Sequence, residues 1–468
     1  MRSAILHRYA GVFVALVLAP AILAQSAWRT IDDYQGNTNF YTTGLVIAAG
    51  GPSNLVVAVG RVADPAGAYG AVRCSRDEGT SWETVDVSPE LAEVVAGSIS
   101  PKGAVVLAGV KSTTPSPPHW LVRISLDQGT TWKTVEDYSL APDGWCRPAA
   151  VECSLDGVIY VGGYGATNGG SSQWLVRRSA DEGATWTTVG VTSFGTSTGP
   201  MSAMKLTSHG IICAGWMSKP NAAGDSIETW RVAESEDPFS EWRILENWRA
   251  SGSDSCQPRG VATDGLGNWV VVGREGFDGG ASANWVTRHS NDEGMHWAIT
   301  DEPLQDGHLG YGVAVVADVG WRFFATGTDG KSWFTRVSGD GGSTWMESDR
   351  FDYATAATRP IGIAADQLGN IYVAGTGYVK GAKSHLVVRK LAARAQQVGP
   401  RLSCQRQGDT LLVTWPSSAR GFDLEFMKIL EPEVGWRSVG IPPVAVGEEN
   451  VVPMDITGSQ SLFRLHRP

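Results

Sequence analysis

Short apolar runs recur along the chain, separated by polar, turn-forming stretches. Several end in glycine: Ile159-Tyr-Val-Gly-Gly163, Ile211-Ile-Cys-Ala-Gly215 and Ile371-Tyr-Val-Ala-Gly375. Another set ends in Arg: Trp120-Leu-Val-Arg123, Trp174-Leu-Val-Arg177, Trp285-Val-Thr-Arg288 and Trp333-Phe-Thr-Arg336. Further short stretches, such as Gly362-Ile-Ala-Ala365, precede the glycine-terminated runs. Runs this short, bounded by Gly and polar residues, predict β-strands rather than helices.

A second pattern punctuates the strands. Ser-x-Asp-x-x-x-x-Trp occurs at Ser75/Asp77/Trp82, Ser125/Asp127/Trp132, Ser179/Asp181/Trp186, Ser290/Asp292/Trp297 and Ser338/Asp340/Trp345. A degenerate copy sits at Ser235/Asp237/Trp242, with Pro238-Phe239 in place of the usual Glu-Gly pair. The copies are roughly 50 residues apart, a spacing typical of repeat architectures. The Asp carboxylate suits the N–H groups of a tight turn. The Gly two residues on supplies the positive φ such a turn needs. The Ser hydroxyl ties the turn to the strand before it, and the Trp is expected to be buried between neighbouring sheets. Four short strands per repeat is the signature of a β-propeller blade.

This combination resembles the Asp-box (BNR) propellers, a group that includes sialidases, xyloglucan-cleaving glycosidases, sortilin-type receptors and photosystem assembly factors. The resemblance covers roughly residues 27–391 and implies an all-β propeller; counting the repeated units gives seven blades. The seventh blade lacks the Asp box and its fourth strand. The N-terminal segment Trp28–Tyr34 matches Trp132–Tyr138 and supplies that strand, so the ring closes without an exposed edge. Sialidases have six blades. After a linker at 392–399, residues 400–468 predict a small β-sandwich that resembles fibronectin/immunoglobulin-like appendages of secreted bacterial proteins. Its strands are Thr410–Trp415, Phe422–Phe426, Trp436–Val439 and Phe463–Leu465.

Composition adds the compartment and excludes some partners. Arg2 and Arg8, the apolar stretch Ala10–Leu23 and the small residues Ala24, Ser26 and Ala27 predict a signal peptide over 1–26. The chain is therefore expected to be secreted, periplasmic or at the cell surface, with no membrane span after cleavage. A net charge of −10 argues against nucleic acid. Six cysteines in 468 residues make no disulfide framework. A Cys146–Cys256 bridge would have to cross blade 4, and Cys153 and Cys213 fall on core strands. The eight histidines show no metal-ligand spacing. No cofactor or metal is expected. Gly330-Lys331-Ser332 lies between two strands and predicts a hairpin, not a phosphate loop. No Gly-x-Ser-x-Gly elbow is present.

Strand alternation places the Asp-box turns on one face of the ring and the long loops on the other. Aligning the seven units on the Gly ending the second strand brings Gly44, Glu93, Arg147, Gly199, Gln257, Tyr311 and Arg359 into one column at the start of each inner strand. Glu93, Arg147, Gln257, Tyr311 and Arg359 are its polar members and the candidate ligand residues. Guanidinium forks bind carboxylates. In the sialidases an arginine triad holds the substrate carboxylate and a Tyr–Glu pair supplies the nucleophile. Arg259 stands two positions off the column. Asp143, Asp254 or Asp306 would be the loop acid. Equally, Glu93, Arg147 and Arg359 form ion pairs that fill the channel, with Glu93–Arg147 and Tyr311–Arg359 as neighbouring pairs. The repeated Arg73, Arg123, Arg177, Arg288, Arg336 and Arg389 predict a structural role. The function expected is a monomeric propeller that binds an extracellular carbohydrate or protein without catalysis. An exo-glycosidase of the sialidase type and an envelope or assembly scaffold are the alternatives.

Overall fold

A computed structural model describes residues 28–36, 41–52, 54–65, 67–111, 117–193, 199–220, 226–236, 239, 241–277, 282–304, 309–353, 357–379, 383–393, 403–407, 410–417, 423–428, 437–446, 449–455 and 461–466. The expected signal peptide, Asp237, Asp306, Trp436 and the linker residues 394–399 lie outside them. The chain divides into two compact units, residues 1–392 and 393–468.

The first unit is a β-propeller of seven four-stranded antiparallel sheets. Blade 3 is representative: Trp145–Cys153, Ile159–Ala166, Gln173–Ser179 and Thr187–Thr192 run from the innermost strand outwards. The innermost strands of successive blades lie side by side, and that of blade 7 meets that of blade 1. Blade 7 has Thr358–Ala365, Ile371–Tyr378 and Ser384–Leu391 as its first three strands, and its outer strand is Arg29–Tyr34. Asp33 pairs with Val387 and Tyr34 with Leu386, so the N-terminal segment closes the ring as its sequence predicts.

Each Ser-x-Asp turn joins the third and fourth strands of its blade. In blade 2 the Ser125 hydroxyl donates to Asp127 Oδ1 at 2.8 Å and accepts the Gly129 N–H at 2.8 Å. Asp127 also accepts the Thr131 N–H at 2.8 Å and the Thr131 hydroxyl at 2.7 Å. The same set recurs around Asp77, Asp181, Asp292 and Asp340, with His296 taking the hydroxyl's place at Asp292. Gly129 has φ +89° and Gln128 before it φ +58°, so two successive residues are left-handed. In blade 4, Ser235 donates instead to the Glu241 carbonyl at 2.7 Å, and Phe239 takes a positive φ of 63°.

These donors stabilise the ionised aspartates. Hydrogen bonds from Thr131 N–H, Thr131 hydroxyl and Ser125 hold Asp127 at about 2, and Asp77, Asp181 and Asp292 are also held at about 2. A carboxyl whose folded pKa is depressed stabilises the fold above its unfolded pKa and loses that contribution as pH falls through the folded value. Asp127→Asn is therefore expected to lower the melting temperature at pH 6. The gap should close as pH approaches 2, where the wild-type carboxyl is itself protonated. Melting curves of both proteins across that range check this, and a gap independent of pH contradicts it.

The tryptophans of these turns are only half-buried, which corrects the expectation that they fill the space between blades. Their indole N–H groups instead close the turn: those of Trp132, Trp186, Trp297 and Trp345 donate to the glycine carbonyl three residues back. The fully buried tryptophans of the propeller are instead Trp120, Trp174, Trp230, Trp285 and Trp333, near the start of third strands. Each lies against a glycine within the second strand of the next blade, which continues past the point where the sequence suggested it ends. A Cβ on Gly163 would come within 2.9 Å of the Trp120 ring, and one on Gly327 within 2.4 Å of Trp285. The glycine-terminated runs of the sequence thus make room for the preceding blade's tryptophan.

The repeated arginines also join blades. Each reaches the outer strand of the blade before it: Arg73 to Asp32, Arg123 to Asp86, Arg177 to Glu136, Arg288 to Glu246, Arg336 to Asp301 and Arg389 to Asp349. Arg73, Arg336 and Arg389 engage both carboxylate oxygens. Between blades 3 and 4 the corresponding positions are Gly190 and Ala233, so both partners are replaced together. The Trp242 ring occupies the vacated space, 3.1 Å from where a Gly190 Cβ would stand.

The second unit consists of two small antiparallel sheets. Ser403–Gln407, Thr410–Pro416, Glu449–Asp455 and Val444–Val446 form one, and Arg437–Ser438, Asp423–Lys428 and Ser461–His466 the other. Val413, Trp415 and Val452 from the first sheet pack on Leu424 from the second, the arrangement of a β-sandwich. Among the described residues no helix is long and apolar enough to cross a membrane. Cys74, Cys146, Cys153, Cys213 and Cys256 are free thiols; Cys146 donates to the Tyr138 carbonyl at 3.2 Å and Cys256 contacts Ser253 at 3.4 Å.

Candidate ligand site on the loop face

Antiparallel order puts the starts of all inner strands at the face opposite the Ser-x-Asp turns. A β-bulge follows at the same place in all seven inner strands, between Pro148 and Ala150 in blade 3 and between Pro258 and Gly260 in blade 5. Bulges re-aim side chains. The skipped residue is Leu45, Val95, Ala149, Ser202, Val313 or Ile361 in six blades, and Arg259 in blade 5.

The bulge fixes the register that the sequence alignment left loose. Arg147, Gln257, Tyr311 and Arg359 are equivalent, pairing with Tyr164, Arg274, Thr328 and Thr376. In blade 1 the equivalent residue is Thr43, opposite Arg61, rather than Gly44. In blade 4 it is Pro200, whose carbonyl accepts the Trp216 N–H at 3.3 Å, rather than Gly199. Both glycines stand at the same distance from the second-strand glycine as the other column members, but the segment between is one residue longer in blade 1 and one shorter in blade 4, which shifts the register.

Around blades 4 to 6 the column residues form a connected cluster. The Gln257 carboxamide is buried, 8% exposed. Its NH2 donates to Glu228 Oε2 at 2.6 Å, and the Ser255 hydroxyl donates to the same oxygen at 2.5 Å. Gln257 Oε1 accepts from Arg274 Nε at 3.1 Å and from Arg259 Nη2 at 3.4 Å. The Arg259 guanidinium lies over the Tyr311 ring, 4.8 Å from its centroid. Its Nε is buried and has no hydrogen-bond partner among the described residues. Among the described residues neither Arg259 nor Arg274 has a carboxylate within 4.0 Å. Burial, reinforced by the charge of Arg274, lowers the pKa of Arg259.

The other column residues are further apart in role. Glu93 and Arg147 meet at 3.7 Å, with 47% and 41% of their side chains exposed, a loose surface pair of small net value. Tyr164 stands beside Arg147 and meets Trp145 edge-on, ring centroids 5.6 Å apart. Arg359 is exposed and pairs with no acid among the described residues. Tyr311 takes Arg259 as its cationic partner, not Arg359, because the bulge swings Arg259 towards blade 6. Of the loop acids, Asp143 is exposed, and Asp254 adjoins the cluster through its carbonyl, which accepts the Glu228 N–H at 3.0 Å.

Sequence reasoning missed Arg259 as a site residue, together with Arg274 and Glu228. Arg274 was open to detection: it follows the glycine that anchored the alignment, in a second column reading Arg61, Val110, Tyr164, Trp216, Arg274, Thr328 and Thr376. Arg259 was not, since nothing in the residues marks the bulge.

Residues 349–380 match a family described as a beta-propeller repeat, SBBP. No curated relative matches the chain. Among solved structures, an α-L-arabinanase of Penicillium chrysogenum complexed with arabinobiose is 15% identical, over 63% of this chain and 92% of that one, with a TM-score of 0.42. An ulvan lyase, a polysaccharide lyase bound to a GlcA(1-4)Rha3S saccharide, is 13% identical over 77% and 96%, with a TM-score of 0.49. The α-L-arabinofuranosidase of Fusarium graminearum is 12% identical over 76% and 94%, with a TM-score of 0.41.

Proposed function

We propose that this protein is a secreted, monomeric Asp-box propeller that binds an extracellular glycan bearing carboxylate or sulfate groups on its loop face, without cleaving it. The observation that carries this reading is the convergence of Arg259 and Arg274 on one carboxamide oxygen, with no carboxylate in ion-pair contact with either among the described residues; Glu228, in the same cluster, accepts from Gln257 and Ser255 instead. Two like charges held together in a half-buried site repel, and an anion between them relieves that cost. A planar fork also gives directional, charge-assisted hydrogen bonds to carboxylate or sulfate oxygens. Tyr311 and Gln257 hold the guanidinium of Arg259 in place. The half-buried Trp145, Tyr164 and Trp216 on the same face suit sugar rings. Secretion rests on the N-terminal basic and apolar pattern.

The test is calorimetric titration of the full mature chain with uronic-acid and sulfated oligosaccharides. Losing a charged hydrogen-bond donor costs about 1.5–3 kcal/mol, so Arg259→Ala is expected to weaken binding about 10- to 100-fold. Arg147→Ala, which removes only the loose rim pair with Glu93, should change it much less. Affinity should fall with added salt. Equal affinity for neutral saccharides would sink the reading. Turnover of a fluorogenic sialoside, abolished by Tyr311→Phe or Arg359→Ala, would replace it with the glycosidase.

A further inference from the structure

The opposite face of the propeller carries a different feature. There, in blades 2, 3, 6 and 7, the turn between first and second strands closes with a backbone hydrogen bond from its fourth residue to its first: Gly103 to Ser100, Gly157 to Ser154, Trp321 to Asp318 and Gly369 to Asp366. Blade 1 does the same with Asn54 and Gly51. The fourth residue is left-handed each time, with φ of 91°, 93°, 59° and 85°, and 48° at Asn54. Glycine and asparagine are the residues that tolerate this conformation. Blade 6 places a tryptophan there.

The ring of Trp321 does not bury itself in return; the residue is 48% exposed. It lines a cavity of about 350 Å³ at this mouth of the channel, walled by turns from blades 1, 2, 3, 5, 6 and 7. A bulky residue held in a disfavoured conformation, without compensating burial, is the kind of outlier that marks a functional position. Asp318 and Asp366 in the cavity wall spend their carboxylate oxygens on their own turns: Asp318 on Gly320, Arg322 and its guanidinium, Asp366 on Leu368, Asn370 and Tyr372. Among the described residues Asp264 Oδ2 accepts only Asn268 Nδ2, at 2.7 Å, leaving acceptor capacity. Gln367 is exposed and its amide makes no hydrogen bond with the described residues.

We propose that this mouth is a second saccharide site, for a neutral or amino sugar whose ring stacks on Trp321. The cavity has the volume of a small-ligand pocket and would hold one or two sugar rings. Its lining is amphipathic in the way a pyranose is: an aromatic surface for the C–H face, with a free amide and a carboxylate acceptor for hydroxyl or ammonium groups. Among the described residues the carboxylates of Asp264 and Asp366 make no ion pair, and they disfavour anionic sugars, so the selectivity is opposite to that of the loop face. The inference stands apart from the loop-face reading.

Trp321→Gly and Trp321→Asn separate the ring from the fold, because other blades already carry these residues at the same turn. Both variants should melt at or above the wild-type temperature. The full chain, titrated with a panel of neutral and amino oligosaccharides, should bind at least one of them with a change in tryptophan fluorescence. Trp321→Gly and Trp321→Asn should weaken that binding at least 10-fold, Trp321→Tyr should retain most of it, and Arg259→Ala should leave it intact. If no neutral or amino sugar binds, or if the glycine variant binds as the wild type does, the proposal fails. It fails too if a photo-crosslinker at Gln367 captures a protein partner that sugars do not displace.

Discussion

Replacing Trp120 with alanine is expected to destabilise the propeller by about 3–5 kcal/mol, while Trp132→Ala should cost only about 1–2 kcal/mol from its smaller buried area. The reason is position. Trp120 is 0% exposed. It packs with Val106 and Val122 of its own blade and with Val161 and Leu175 of the next, so its loss opens a cavity across a blade junction. Tyr138 meets it edge-on at 6.1 Å. The carbonyl of Arg147 lies 2.2 Å from where a Gly163 Cβ would stand, so that backbone cannot close in to fill the hole. Trp132 sits at the rim of the junction between blades 1 and 2 and keeps one edge in solvent. Chemical denaturation of the two variants measures the difference. Equal losses would mean that the turn tryptophan, and not the third-strand one, sets the blade spacing.

The contrast shows which features were legible in the chain. The seven sheets, the borrowed outer strand of blade 7 and the Ser-x-Asp turns follow from local patterns. A turn that needs a carboxylate, a hydroxyl and a left-handed glycine within five residues leaves its mark in those five residues. Which tryptophan column is buried does not, because both columns lie in short strands of like composition and the deciding contact is with another blade. The glycine of each second strand recurs visibly in the sequence, yet its cause, the ring of Trp120 or Trp285 from the preceding blade, appears only in three dimensions. The site follows the same rule. Gln257, Tyr311 and Arg359 share a column that the spacing reveals. The bulge that turns Arg259 onto Tyr311 is a backbone event with no residue of its own, so the arginine at the centre of the cluster looked two positions out of place.

The second large effect is expected at the ion pair between blades 4 and 5. Arg288 donates through Nε to Glu246 Oε1 at 2.8 Å, and its Nη2 meets the same oxygen. The pair is well buried, with side-chain exposures of 9% and 6%, and the guanidinium lies 4.8 Å from the centroid of the Trp248 ring. Arg288→Met alone would leave Glu246 charged and unpaired in the interior, at a cost of about 3–5 kcal/mol. The double variant Arg288→Met with Glu246→Leu should recover most of that loss, since both desolvated charges go together. Two observations favour recovery. Burial raises the pKa of Glu246 in spite of the arginine, so the pair does not fully offset the desolvation of its acid. At the junction of blades 3 and 4 the chain has made the equivalent double replacement itself, with Gly190 and Ala233 at the two positions and the ring of Trp242 against Gly190. Denaturation midpoints of the two single variants and the double variant form the cycle that measures the coupling. A double variant as unstable as the sum of its singles would show that the arginine and the glutamate act separately.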